Sequence, residues 1–305
     1  HRGGDSVIAI VGGEGDIVTG DSGGGGVFNI GSAVFASDRV SRDLLALADD
    51  DKVKAVVFRV DSGGGSAIAS DQIWRAVERL QEAGKKVVVS MGSVAASGGY
   101  YVAAGSDAIV ANRTTITGSI GAFAGKFAVA DGLREFGISP DEIRVGGEFA
   151  SAYSMEDLTE VQRQKLTASL QSVYDRFTGL VAEGRKLPLQ RVQEVAHGRI
   201  WSGADAMSVG LVDETGDLIA AIDKAKELAG IADGDVQIRL NIHKASPFEL
   251  LQGLFVSAKV SAASPELLQA MGAIAGDRRA AAALRDMRVM TQPGVQASAP
   301  VLVER

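Results

Sequence analysis

At 305 residues, 46% apolar and 23% charged, the chain is long enough for one large or two modest domains and apolar enough for a sizeable core. Lys plus Arg number 31 against 38 Asp plus Glu, a formal charge of −7, which argues against a nucleic-acid binder driven by phosphate neutralisation. Cysteine is absent, which excludes disulfides, zinc–thiolate sites and thiol nucleophiles.

Val7–Val11 is a β-branched run ending at Gly12-Gly13 and reads as a strand. Gly20–Gly26 reads as a flexible loop. From Ser37 to Asp50 the apolar positions Val40, Leu44, Leu45 and Leu47 mark a helical face. Lys54–Val60 reads as a buried strand, Ser66–Ala83 as a helix with Ile68, Ile73, Ala76, Val77 and Leu80 inward, and Lys86–Met91 as another strand. Ser97–Ala104 is a short helix and Asp107–Ala111 a strand. Strands alternating with helices predict a parallel sheet covered by helices. Beyond Gly146 the pattern turns helical: one long helix over Glu156–Arg185, then Pro188–Ala196, Gly203–Val209 and Asp217–Ala229, with a last strand at Val236–Leu240. Three parts are expected: a domain over 1–235 including the helical arm, a helical extension over 236–290, and a disordered tail over 291–305 rich in Pro, Gly, Ala and Ser. No run approaches the roughly eighteen apolar residues of a membrane span. The start at His1, with no charged-then-apolar leader, points to a piece of a longer polypeptide with any anchor upstream.

Glycine numbers 38 against six prolines, and it clusters in loops. Gly20-Asp21-Ser22-Gly23-Gly24 spells the surroundings of the chymotrypsin-type nucleophile, but that serine needs a histidine base and an all-β double barrel, so Ser22 is a decoy. Gly13-Glu14-Gly15 lacks the following helix of a dinucleotide loop. Two segments remain. Arg59-Val60-Asp61-Ser62-Gly63-Gly64-Gly65-Ser66 closes one strand and opens a helix, and Ser90–Tyr100 closes the next around Ala96-Ser97-Gly98-Gly99. Each alone fits an ordinary Gly-rich turn, with Ser97 an N-cap. Together they describe a nucleophile and two N–H donors at the carboxyl ends of neighbouring parallel strands. Only His1, His197 and His243 exist, and His197 fits a capping or surface role. A lysine made neutral by burial, from a usual pKa of about 10.4, is therefore the base to look for.

These residues carry a resemblance to the signal peptide peptidase (protease IV) family of serine/lysine peptidases, on the fold shared by Clp proteases and crotonases. The matching pieces are Asp61–Gly65, Met91–Tyr100, Ile109–Asn112, Thr117–Gly121, Gly198–Gly203 and Gly210–Glu214, spanning roughly residues 7–230. The resemblance implies an α/β fold of repeated ββα units with a parallel sheet and a helical arm. It implies Ser97 as nucleophile, N–H groups of Gly98 and of Gly65 or Gly64 as the oxyanion hole, and Ser119 bonded to the lysine base. Tyr100, Tyr101 and Phe123 are expected to line the substrate cleft. No metal or cofactor is expected. The sequence departs from the family at Asp61 and Gly63, where Asn and Pro are usual, and at Phe149, which stands where single-length members carry lysine. The chain thus resembles the carboxyl-terminal half of a double-length member, with the base supplied by the amino-terminal half; Lys126 is the nearest candidate within the chain. Implied partners are peptide substrates, that amino-terminal half and further copies, a tetramer being favoured, with no nucleic acid. The implied location is the periplasmic face of a bacterial inner membrane. A crotonase-like acyl-CoA enzyme and a non-catalytic assembly subunit are the alternatives.

Overall fold

The computed structural model describes residues 6–21, 34–139, 154–231, 236–240 and 296–298. Along the chain run β1 (Ser6–Glu14), β2 (Asp16–Val18), β3 (Val34–Ala36), α1 (Ser37–Ala48), β4 (Val53–Ser62), β5 (Gly64–Ser66), α2 (Ala67–Glu82), β6 (Lys86–Ala96), α3 (Gly98–Tyr101), β7 (Ala108–Ala111) and β8 (Ile116–Gly118). Then come α4 (Ala130–Glu135), α5 (Glu160–Gly184), α6 (Leu189–Val195), β9 (Ile200–Ser202), α7 (Gly203–Ser208), β10 (Glu214–Thr215), α8 (Leu218–Ala229), β11 (Val236–Leu240) and β12 (Gln296–Ser298).

The main sheet has the order β10-β7-β6-β4-β1-β11, and every pair along it is parallel. The end of β6 also pairs in parallel with β8, which β9 joins antiparallel. A smaller sheet, β12-β5-β2-β3, stands beside the carboxyl ends of β4 and β6. Alternation along each central strand explains the two layers of core. Val56, Phe58 and Val60 of β4, with Val87, Val89 and Met91 of β6, face α1, α2 and α5 through Leu44, Ile73, Leu80 and Phe177. Ala55, Val57 and Val88 point the other way, against Ala221 and Ala225 of α8. A parallel sheet buried on both faces is what near-continuous runs such as Ala55-Val56-Val57-Phe58 require.

The expected α/β class and alternating order are observed, with differences at particular elements. Leu45, read as part of the inward face of α1, is 42% exposed, whereas Leu44 is wholly buried. Ile68, also read as inward, is exposed at the start of α2. The long helix begins at Glu160 because Thr159 caps it reciprocally: Thr159 Oγ1 accepts from the Gln162 N–H and Gln162 Oε1 accepts from the Thr159 N–H. Strand β11 pairs with β1, so the sheet continues beyond the boundary expected at residue 235. Within the stretch read as a tail, Gln296–Ser298 is a strand on β5. Most of the extension expected over 236–290 lies outside the described residues, as do Ser22, Phe149, His1 and His243.

Truncating Leu44 to alanine should destabilise the protein by about 2–5 kcal/mol, because α1 cannot collapse onto the space left above the sheet. Leu45→Ala should cost well under half as much. Urea melts of the two variants check the assignment of faces; equal losses would contradict it.

Candidate active site

The site begins with an irregularity between two parallel strands. Val60 pairs with Met91 but Ser62 pairs with Ala95, so two steps on β4 span four on β6. The extra residues leave N–H groups without ladder partners, and the Asp61 carboxylate accepts two of them. Its Oδ2 takes the Ser93 N–H at 3.2 Å and its Oδ1 the Val94 N–H at 3.1 Å. Arg59 holds the same bend from below, donating to Ser90 Oγ at 3.0 Å and to the Met91 carbonyl at 2.9 Å. These contacts fix the course of β6 into Ser97. Reading the sequence treated Asp61 only as a departure from Asn and missed this role. The signal was Gly92, where a Cβ would come within 2.3 Å of the Asp61 carboxyl carbon.

Ser97 leaves β6 with φ 52° and ψ −116°, a backbone that few non-glycine residues adopt. Its N–H donates to the Gly118 carbonyl at 2.8 Å, immediately before Ser119, which has φ 49°. The Ser119 N–H donates to the Arg199 carbonyl at 2.7 Å. The paired ends of β6 and β8 thus turn left-handed at the same level and bring the two serines together. The expected Ser97–Ala104 helix shortens to α3 and continues as turns. Ser97 makes no side-chain capping bond to α3, so the N-cap reading fails. Its side-chain oxygen is buried with no hydrogen-bond partner. Such an orphan is uncommon, since a buried hydroxyl without a partner costs about 1–3 kcal/mol.

The Gly-rich turn of β5 lies against it. A Cβ on Gly98 would sit 3.1 Å from both the Gly64 Cα and the Gly65 nitrogen, and 2.7 Å from Ser70 Oγ. Gly65, at φ +151°, passes so close to β2 that a Cβ would meet the Ile17 carbonyl oxygen at 2.1 Å. The Gly64 N–H is already engaged, donating to Ser62 Oγ at 3.1 Å.

Tyr100 and Tyr101 do not face a cleft. Tyr100 is wholly buried, its hydroxyl donating to the Leu211 carbonyl at 2.7 Å, and burial pushes its pKa far above the usual tyrosine range. Tyr101 is packed on Phe177 and donates to Asp71 at 2.7 Å; burial, then that carboxylate, raise its pKa too. Both rings anchor α3 to the core. Phe123 lies elsewhere: with Ser119, Leu170, Tyr174 and His197 it lines a cavity of ≈ 730 Å³. His197, at φ 54°, stacks on Tyr174, with Nδ1 3.4 Å from the Tyr174 hydroxyl. Lys126 is turned to Ser154, donating to its Oγ at 3.4 Å. Among the described residues no histidine or lysine nitrogen bonds to Ser97 Oγ, and no group of three His, Asp or Glu side chains is disposed to hold a metal.

Comparison with known proteins adds an independent line. The family model described as Peptidase family S49 matches residues 79–232, and that of Clp protease matches residues 30–125. Protease 4 of Haemophilus influenzae is 38% identical over 221 residues, covering 72% of this chain and 34% of that protein. The chain therefore spans about a third of that relative's length. A putative protease of Synechocystis is 35% identical over 64% of this chain and 70% of its own length. Among solved structures, a ClpP1 mutant from Listeria monocytogenes superposes with a TM-score of 0.45 at 14% identity, over 72% of this chain and 95% of that one. The first match takes in Ser97, Ser119 and the Arg199–Gly203 turn behind them, and with the extent of the Synechocystis relative it establishes that this chain belongs to Peptidase family S49.

Proposed function

We propose that the chain is the nucleophile-bearing part of a serine endopeptidase that degrades released signal peptides and other short or unfolded hydrophobic peptides. The observation that carries this reading is the buried, unpartnered hydroxyl of Ser97 on a left-handed turn beside two glycine backbones. A serine kept for structure usually caps its helix or bonds its neighbours; of the two buried serine hydroxyls without a partner among the described residues, Ser41 and Ser97, only Ser97 stands on a left-handed turn. In the proposed reaction Ser97 Oγ attacks the scissile carbonyl carbon as its proton passes to a neutral lysine Nζ. The N–H groups of Gly65 and Gly98 hold the resulting oxyanion. Collapse breaks the C–N bond, and the lysine returns the proton to the leaving amine. Water, deprotonated by the same lysine, then releases the acyl group. Ser119 positions the lysine, and Phe123 contributes to the wall that receives an apolar side chain.

The lysine comes from another segment or subunit, which fits an Oγ left without a partner and a Lys126 whose Nζ contact is with Ser154 and not Ser97. Exposed Phe127, Phe136, Ile138 and Met155 around α4 support assembly into a homo-oligomer, a tetramer being the preferred number. The proposed location is the periplasmic face of the inner membrane, with the anchor outside this chain. No helix among the described residues is long and apolar enough to cross a membrane.

Fluorophosphonate capture followed by mass spectrometry tests the nucleophile. Label should fall on Ser97 and vanish in Ser97→Ala, while Ser22→Ala labels as the parent does. Because the lost hydroxyl has no partner, Ser97→Ala should leave the urea midpoint unchanged or raise it. Label on Ser22 instead would reverse the assignment, and label on neither would favour an acyl-CoA enzyme or a non-catalytic subunit.

Ser119→Ala should slow peptide turnover of the complete enzyme by roughly ten- to a thousand-fold and displace the acid-side limb of its pH–rate profile, where the lysine loses its proton, since the hydroxyl helps set the neutral fraction of the lysine. An unchanged rate and profile would remove Ser119 from the site.

The chain alone should turn over an apolar peptide slowly or not at all, and mixing with the amino-terminal segment that carries the lysine should restore turnover. A serine without a base is a poor nucleophile towards an amide even when the oxyanion donors are intact. Full turnover by the chain alone that disappears in Lys126→Ala would make Lys126 the base.

A further inference from the structure

The main sheet forks where β6 changes partners. Its last pair with β7 is Ser90 with Val110 and its first with β8 is Val94 with Ile116, so Met91, Gly92 and Ser93 face no strand on that side. A cavity of ≈ 610 Å³ occupies the fork, lined by Arg59 of β4, Ser93 of β6 and Asn112, Arg113 and Thr114 of the β7–β8 connection. Several of its carbonyls are already engaged. Arg59 donates to that of Met91, Thr115 Oγ1 to that of Gly92 at 2.7 Å, the Thr115 N–H to that of Asn112 at 3.0 Å, and the Ala204 N–H to that of Arg113 at 3.1 Å. The charged donors are not used up. Both bonds of Arg59 come from Nη1, and it makes no other among the described residues. Arg113 is exposed, and its guanidinium has no hydrogen bond or ion pair among them. Elsewhere in this acidic chain arginines meet carboxylates, as Arg185 meets Asp213 and Arg239 meets Asp50. The one carboxylate placed against the fork, that of Asp61, already accepts from the Ser93 and Val94 N–H groups.

We propose that this fork binds a carboxylate carried on a short apolar group, either a free organic acid or the carboxyl end of a peptide. A guanidinium presents its N–H groups as a planar fork that matches the two oxygens of a carboxylate, and hydrogen bonds between such charged partners are the strong ones. Two arginines against one carboxylate leave the cavity cationic. The rest of the lining sets the apolar part of the ligand: Val94 and Ile116 stand half-buried at the β8 end of the fork, and a bare inorganic anion would leave them facing water. Hydrolysis of a peptide bond creates a new carboxyl end, so a peptidase makes ligands of this class, although the site does not rest on the reading of Ser97 as the nucleophile. Arg59 joins the fork to the proposed chemistry, because the same guanidinium holds the bend of β6 that leads to Ser97.

The test measures binding and does not require turnover. The full chain would be titrated calorimetrically with N-acetyl-leucine, with its uncharged amide, with an acetylated tripeptide ending in leucine, and with inorganic phosphate. The acid should bind at least about tenfold more tightly than the amide, and Arg113→Gln should weaken the acid by about tenfold, the effect of losing one charged hydrogen-bond partner. The same variant should keep the parent's urea midpoint, since the Arg113 guanidinium has no partner among the described residues to lose. Tighter binding of the tripeptide than of N-acetyl-leucine assigns the site to peptide ends, and the reverse order assigns it to free acids. Equal binding of acid and amide, an affinity unmoved by Arg113→Gln, tighter binding of phosphate than of either acid, or no binding at all would overturn the proposal. Repeating the titration after fluorophosphonate treatment separates the fork from the serine. Binding that persists on a chain labelled at Ser97 supports the fork; binding lost with the label places the ligand at Ser97 and overturns it. A chain that takes no label yet binds the acid through Arg113 would sink the nucleophile reading and leave the fork standing.

Discussion

Three stretches of backbone meet at the carboxyl end of the sheet with no room for a side chain between them. Gly65 lies against Ile17 of β2, Gly98 lies against Gly64 and Gly65, and Gly99 lies against the Ser62 carbonyl, where a Cβ would come within 2.5 Å. Everything proposed for the site depends on this approach. Oxyanion donors must be N–H groups held at a fixed separation, and side chains at these positions would push the strands apart. The parallel sheet makes the approach possible by ending β4 and β6 at one level, and its two-sided core keeps them there. Asp61 completes the frame by satisfying the N–H groups that the bulge in β6 leaves over.

Much of this was legible in the sequence, for reasons that can be named. The central strands are β-branched runs bounded by glycine, so the limits of β1, β4, β6 and β7 are legible to within five residues. The two Gly-rich turns stood out because glycine density has a geometric cause. Short elements were not legible: β2, β3, β5, β8, β9 and β10 have two or three residues each, too few for any periodicity, and they exist because neighbouring strands offer them a ladder. The failure at Tyr100 and Tyr101 has another origin. An aromatic beside a nucleophile reads equally well as a cleft wall or a core anchor, and the decision rests on Leu211 and Asp71, which lie far away in sequence. Between Leu44 and Leu45 helical spacing could not choose, because both fall within the broad apolar face of one helix and only the packed sheet shows which one it covers.

Strained backbone gathers where the chemistry is placed. Four non-glycine residues among those described have positive φ, and three of them are Ser97, Ser119 and His197. Left-handed backbone at such residues persists only where the surroundings over-determine it. Here the surroundings are the Gly118 carbonyl on the Ser97 N–H, the Arg199 carbonyl on the Ser119 N–H, and the stack of His197 on Tyr174. The β6–β8 pairing and the Gly198–Arg199 turn are thus one unit, and the cavity beside Ser119 is bounded by that same unit and by α5.

An orphan hydroxyl in a rigid frame is a poor design for a self-sufficient enzyme and a sound one for a controlled enzyme. The costs of building the site, the left-handed turns and the buried oxygen, are met by the fold of this chain alone. Among the described residues no proton acceptor bonds to Ser97 Oγ, and in the proposed scheme one arrives from outside. In that scheme a base held elsewhere decides whether Ser97 can react. Such a control has no need to move β4, β6 or the glycines between them, so the geometry proposed for the oxyanion site is the same whether the base is present or absent. Such a division suits a peptidase that must not attack folded neighbours, since in the proposed scheme reactivity waits on assembly, and the Gly-rich frame itself stays unchanged.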